Sequence, residues 1–104
     1  MQITADYGAG RLTIHLAGEL DHHGAREGMA AIERLLDEYM PRDAVLDLSA
    51  LTFMDSSGIA LILKTERRMR SGGGRASILN PARQPLRVLD ASGIERMIPV
   101  NTGG

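Results

Sequence analysis

The chain has 104 residues, 12 basic and 13 acidic side chains, a net charge of −1 and no cysteine. Residues 1–104 are expected to form one domain around a modest aliphatic core, and the charge balance argues against direct nucleic-acid binding, which needs a basic footprint to displace counterions from phosphates. Lack of cysteine excludes a disulfide scaffold, a thiolate metal site and thiol catalysis, and suits a reducing compartment.

Ile3, Ala5 and Tyr7 alternate with polar residues, and Gly8-Ala9-Gly10 offers a turn. Leu12, Ile14 and Leu16 resume the alternation, with Thr13 and His15 on the other face. A period of two in both runs predicts a hairpin with one wet face. The N-terminus has no hydrophobic signal core. The longest apolar stretch, Gly58 to Leu63, is far short of the ~20 residues that span a bilayer. A cytoplasmic protein without membrane insertion is expected.

Asp21, or a neighbour, is expected to cap a helix carrying Ala25, Met29, Ile32, Leu36 and Tyr39 at three- and four-residue spacing, with Pro41 just beyond its end. Ala44 to Leu48 reads as a short buried strand. A second helix fits Ser56 to about Arg70, with Ile59, Ile62 and Leu63 inward. Lys64, Arg67, Arg68 and Arg70 crowd its second half, where cations favour the negative end of the helix dipole. Gly72-Gly73-Gly74 stops it, and Ala76 to Leu79 is the next strand. Pro81 and Pro85 suit the start of a third helix carrying Leu86 and Leu89, with Gly93 as its left-handed cap. Ile98-Pro99-Val100 reads as a last strand at an edge, because Pro99 cannot donate to a ladder.

The expected fold class is therefore α/β, in the order β-β-α-β-α-β-α-β. Crossovers after a hairpin imply a mixed sheet with right-handed parallel connections, and the alternating hairpin implies helices on one sheet face. No repeat, linker or low-complexity segment interrupts the pattern, and only Gly103-Gly104 is expected to fray.

Phe53-Met54-Asp55-Ser56-Ser57-Gly58 lies between a buried strand and a helix. Ser and Asp are favoured N-caps, worth about 1 kcal/mol, but a cap needs one such residue and here there are three. Gly58 follows, with no side chain to obstruct a partner, while Phe53 and Met54 fit either an exposed contact or the core. Asp21, His22 and His23 lie in the loop before the first helix. Parallel neighbouring strands can bring this loop to the same end as Ser56. Two readings of it stand side by side: a shared docking surface, or a capping Asp21 with solvated histidines.

A metal site is not expected, because adjacent histidine side chains diverge and no third ligand is evident. A serine hydrolase built on Ser56, Asp21 and a histidine would lack the Gly-x-Ser-x-Gly elbow. Gly72-Gly73-Gly74 is not followed by Gly-Lys-Ser/Thr, so it is a helix stop and not a phosphate loop. The expectation is a non-enzyme with no cofactor.

Phe53-Met54-Asp55-Ser56-Ser57-Gly58-Ile59 resembles the phosphorylation motif of bacterial anti-sigma factor antagonists in the STAS family. Gly18-Glu19-Leu20-Asp21-His22-His23 is similar to an earlier family motif, in the form found in its sporulation branch. Leu89-Asp90-Ala91-Ser92-Gly93-Ile94 is similar to the segment near the family's third helix. The three matches follow family order and spacing, so the resemblance covers nearly the whole chain. The sequence departs from the family in ending at Gly104, without the further C-terminal helix that members usually carry.

The resemblance implies a substrate and not a catalyst. A kinase that is also the anti-sigma factor would phosphorylate Ser56, and a metal-dependent serine phosphatase would reverse it. The unphosphorylated form would bind the anti-sigma factor and free the sigma factor. Asp21, His22, His23, Phe53, Asp55, Ser57 and Gly58 would form the partner surface around Ser56. A STAS subunit of another system, either a general stress cascade or a lipid-transporter accessory protein, is the alternative.

Overall fold

The structure is a computed structural model that describes residues 1–102. Gly103 and Gly104, expected to fray, lie outside the described residues. Strands β1 (Gln2–Gly8) and β2 (Arg11–Leu20) form the antiparallel hairpin. Helix α1 (His22–Tyr39), strand β3 (Asp43–Met54), helix α2 (Ser56–Ser71), strand β4 (Arg75–Leu79), helix α3 (Arg83–Ser92) and strand β5 (Val100–Asn101) follow. A single 3-10 turn, Ile94–Arg96, precedes β5. The sheet order is β1-β2-β3-β4-β5, antiparallel in its first pair and parallel thereafter. This is the α/β order that the sequence predicts.

Register explains the layering. Leu12 pairs with Ala44 and Ala44 with Ala76, while Ile14 pairs with Leu46 and Leu46 with Ile78. These buried residues share one face, where Ile32 and Leu36 of α1, Leu61 and Ile62 of α2, and Leu89 of α3 complete the core. Thr13, His15, Asp47 and Ser77 occupy the opposite, half-exposed face. No helix among the described residues is long and apolar enough to cross a membrane.

Several elements differ from their sequence expectation. Strand β3 continues past Leu48 to Met54. Its register against β2 shifts between His15 and Ala17 and again between Gly18 and Glu19. Burial along β3 then recurs at every third residue, Leu48, Leu51 and Met54, which a search for alternation does not detect. In α1 the buried line is Gly24, Gly28, Ile32 and Leu36, with Ala25 and Met29 only half-buried. Tyr39 points outward and stacks on Tyr7 with ring centroids 4.9 Å apart. The inward set of α2 is Gly58, Leu61, Ile62, Thr65 and Met69, with Ile59 and Leu63 at its margins. In α3, Pro85 and Leu89 are buried, Leu86 is half-buried, and Gly93 caps the helix at φ 70°. The last strand is only Val100–Asn101, with buried Ile98 preceding Pro99.

On the open face, His15 Nδ1 lies 2.7 Å from Asp47 and His15 Nε2 lies 2.9 Å from Asp6, joining the first three strands. The Asp47 hydrogen bond, then that of Asp6, raises the His15 pKa above the usual imidazole value. Burial opposes ionisation of Asp47, but hydrogen bonds from Ser49 and His15 outweigh it and hold its pKa below the usual carboxylate value. A raised histidine pKa stabilises the fold fully below about 6.5, the unfolded value, and the contribution is lost as pH rises through the folded value. The Asp47 contribution runs the other way. It is present above about 3.9 and disappears as pH falls through the depressed value. The His15 side chain is 35% exposed, so screening reduces the effect to about 1 kcal/mol or less. Thermal unfolding at pH 6 and pH 8 should show wild type losing stability across that interval and His15→Gln losing less. Equal losses would exclude the clasp.

Candidate functional site: the paired strand-to-helix junctions

Two neighbouring parallel strands end in the same way. Leu20 of β2 pairs with Met54 of β3, and each is followed by an aspartate that starts a helix. Asp21 has extended backbone geometry (φ −95°, ψ −170°), and its Oδ1 accepts from the Gly24 amide at 2.8 Å. Asp55 matches it (φ −120°, ψ −165°), its Oδ1 accepting from the Ser57 amide at 2.8 Å. The Asp55 amide donates to the Leu20 carbonyl at 3.4 Å, joining the two junctions. The expectation that both loops share one end of the sheet is met.

Asp21 and Asp55 perform the capping, which leaves the serines free of that task. Ser56 is the first residue of α2 and is exposed, and its hydroxyl makes no hydrogen bond among the described residues. Its neighbour Ser57 is half-exposed. The Ser57 amide is taken by Asp55 Oδ1 and the Gly58 amide by the Asp55 carbonyl, and the start of α2 is the positive end of the helix dipole, a favourable setting for an anion. The Gly24 amide holds the Asp21 carboxyl below the usual carboxylate pKa, so it is charged at neutral pH.

The remaining candidates divide between surface and core. His22 and His23 are exposed, and His23 Nε2 lies 3.2 Å from Glu27 one turn along α1. Phe53 is 39% exposed at the end of β3, whereas Met54 beside it is fully buried. Gly58 is also buried. A Cβ there would lie 2.2 Å from Met54 Cγ and 3.1 Å from Leu20 Cδ2. The expectation that Gly58 clears a path for a partner is therefore corrected: its bare Cα lets α2 approach Met54. Phe53, Asp55, Ser56 and Ser57 sit together at one junction, with Asp21, His22 and His23 at the other.

Sequence reasoning misses Gln84 on α3. Its side-chain amide accepts from the Met54 N–H at 2.8 Å and donates to the Met54 carbonyl at 3.0 Å. This two-point clamp fixes the last residue of β3, immediately before Asp55 and Ser56. Thirty residues separate the partners, and a glutamine in a helix has no local signature of such a contact.

Ser56 makes no hydrogen bond to a histidine that could act as its general base. No group of three or more His, Asp or Glu among the described residues could hold a metal ion.

Residues 1–102 match the STAS domain. The chain is 31% identical over 100 residues to an anti-sigma F factor antagonist of Paenibacillus polymyxa, covering 96% of this chain and 86% of that relative. It superimposes on the anti-sigma factor antagonist SpoIIAA in its unphosphorylated form with a TM-score of 0.80 and 28% identity, covering 97% of this chain and 89% of that one. The Bacillus cell fate determinant SpoIIAA in its phosphorylated form matches with a TM-score of 0.72 and 28% identity, covering 97% and 92%. These relatives have regulatory names, in keeping with the expectation of a non-enzyme. The chain belongs to the STAS domain family.

Proposed function

We propose that this protein is an anti-sigma factor antagonist whose unphosphorylated form binds an anti-sigma factor with serine kinase activity and so releases a sigma factor. Phosphorylation of Ser56 by that kinase switches binding off, and a serine phosphatase restores it. The observation that carries this reading is Ser56 itself: an exposed, unengaged hydroxyl at the first position of α2, directly after the Asp55 cap. Its support comes from the names of the relatives and from the likeness to SpoIIAA in both phosphorylation states. The reading belongs to the cytosol and to sporulation control, and it involves neither nucleic acid nor membrane directly.

Asp21, His22, His23, Phe53, Asp55 and Ser57 surround the phosphoacceptor in this reading and meet the partner. A phosphate adds about −1.5 to −2 charge where the helix start tolerates it and a docked protein surface does not. Incubation with the kinase and ATP should add one phosphate, mapped by mass spectrometry to Ser56 and absent from Ser56→Ala. Modification at Ser57, or labelling that survives Ser56→Ala, would overturn the assignment.

A further inference from the structure

A groove of about 370 Å³ runs between the N-terminal parts of α1 and α2, with Ser57 in its wall. Half-buried Met29 and buried Leu61 form its apolar floor, and exposed His22, Arg26 and Lys64 its rim. No aspartate or glutamate lines it. Arg26 and Lys64, like most basic side chains among the described residues, make no ion pair, and what sets them apart is that both face one groove whose lining carries no carboxylate. In a chain of net charge −1, two unneutralised cations over an apolar floor are complementary to an acidic segment with an apolar side chain.

We propose that this groove receives an acidic segment of the anti-sigma factor, with an apolar side chain on Met29 and Leu61 and carboxylates facing Arg26 and Lys64. The inference rests on the anti-sigma reading above and extends its contact surface along both helices. It also gives phosphorylation a second means of action. A phosphate on Ser56, next to Ser57 in the groove wall, places about −1.5 to −2 charge at the Ser57 end of the groove. It weakens the field that attracts the acidic segment and repels that segment directly.

The test measures binding of the unphosphorylated full chain to its purified cognate anti-sigma factor at low and high salt. Four proteins are compared: wild type, Arg26→Glu/Lys64→Glu, Arg26→Gln/Lys64→Gln, and Arg11→Glu as a control at the other end of β2. Charge reversal should weaken binding about tenfold or more at low salt, and the loss should shrink as salt screens it. The glutamine pair should lose less, and the control should stay within about twofold of wild type. The glutamine pair also carries the test if charge reversal prevents folding. If wild type binds and both double variants bind equally tightly, the groove proposal fails while the anti-sigma reading stands. If wild type itself does not bind, the anti-sigma reading fails and the groove proposal falls with it.

Discussion

Replacing Ser56 with aspartate should lower affinity for the anti-sigma factor by about a hundredfold, equivalent to ~2.8 kcal/mol, and leave the domain folded. The two halves of this expectation have different causes. Ser56 is exposed and makes no hydrogen bond among the described residues, so removing its hydroxyl breaks no internal contact. A carboxylate at the first position of α2 meets the positive end of the helix dipole, worth about 0.3–1 kcal/mol. The neighbouring charge of Asp55 opposes that gain, and stability should change by no more than about 1 kcal/mol. A docked partner, by contrast, has to desolvate the new charge or stay away, and an unpaired buried charge costs several kcal/mol. Ser56→Ala should bind as wild type does and resist phosphorylation. Binding and thermal unfolding measured on the same three proteins separate the causes. If Ser56→Asp and the phosphorylated wild type both bind at full strength, charge exclusion is wrong. If Ser56→Asp unfolds, the switch acts through the fold.

Much of this architecture is legible in local sequence because its signals are periodic. Leu12, Ile14 and Leu16 alternate as a one-sided strand must, and Gly93 stops α3 in the left-handed conformation that glycine readily adopts. The outer half of β3 is not legible in this way. Its two register shifts replace alternation by a three-residue spacing, so Leu51 and Met54 lose their strand signature. The buried line of α1 begins with two glycines, which carry no hydrophobic signal at all. At the site, Ser56 and the two capping aspartates are readable from residue type and position, but the partition of their neighbours is not. Gly58 looks like an opening in the surface until Met54 is found beneath it. Arg26 and Lys64 likewise look like ordinary solvated cations of two separate helices. Only the packing of α1 against α2 brings them to one groove, and only the positions of the carboxylates show them unpaired.

The buried contact at Gly58 leads to the largest expected loss of stability. In Gly58→Ala, the new methyl would lie 2.2 Å from Met54 Cγ and 2.7 Å from Met54 Sδ, with Leu20 Cδ2 at 3.1 Å. In an exposed helix the same exchange would stabilise by about 1 kcal/mol, since alanine is the better helix former. Here the overlap falls on a methionine with no accessible surface, so the side chain cannot swing into solvent. Nor can β3 easily retreat, because Gln84 holds both the N–H and the carbonyl of Met54. Relief has to come from an outward shift of the start of α2, which also weakens the hydrogen bond from the Ser57 amide to Asp55. Overpacking of this kind costs about 1–3 kcal/mol or more. After the helix-propensity gain, a net loss of up to about 2 kcal/mol should lower the melting temperature by as much as roughly 8–16 °C in a domain of this size. Shortening the opposing side chain with Met54→Ala makes room for the methyl. The double variant should therefore be more stable than the sum of the two single losses predicts, a coupling of about 1 kcal/mol or more. Thermal unfolding of wild type, both single variants and the double variant checks the cycle. An unchanged melting temperature for Gly58→Ala, or strict additivity in the double variant, would show that the close approach of α2 to Met54 does not govern packing beneath Ser56.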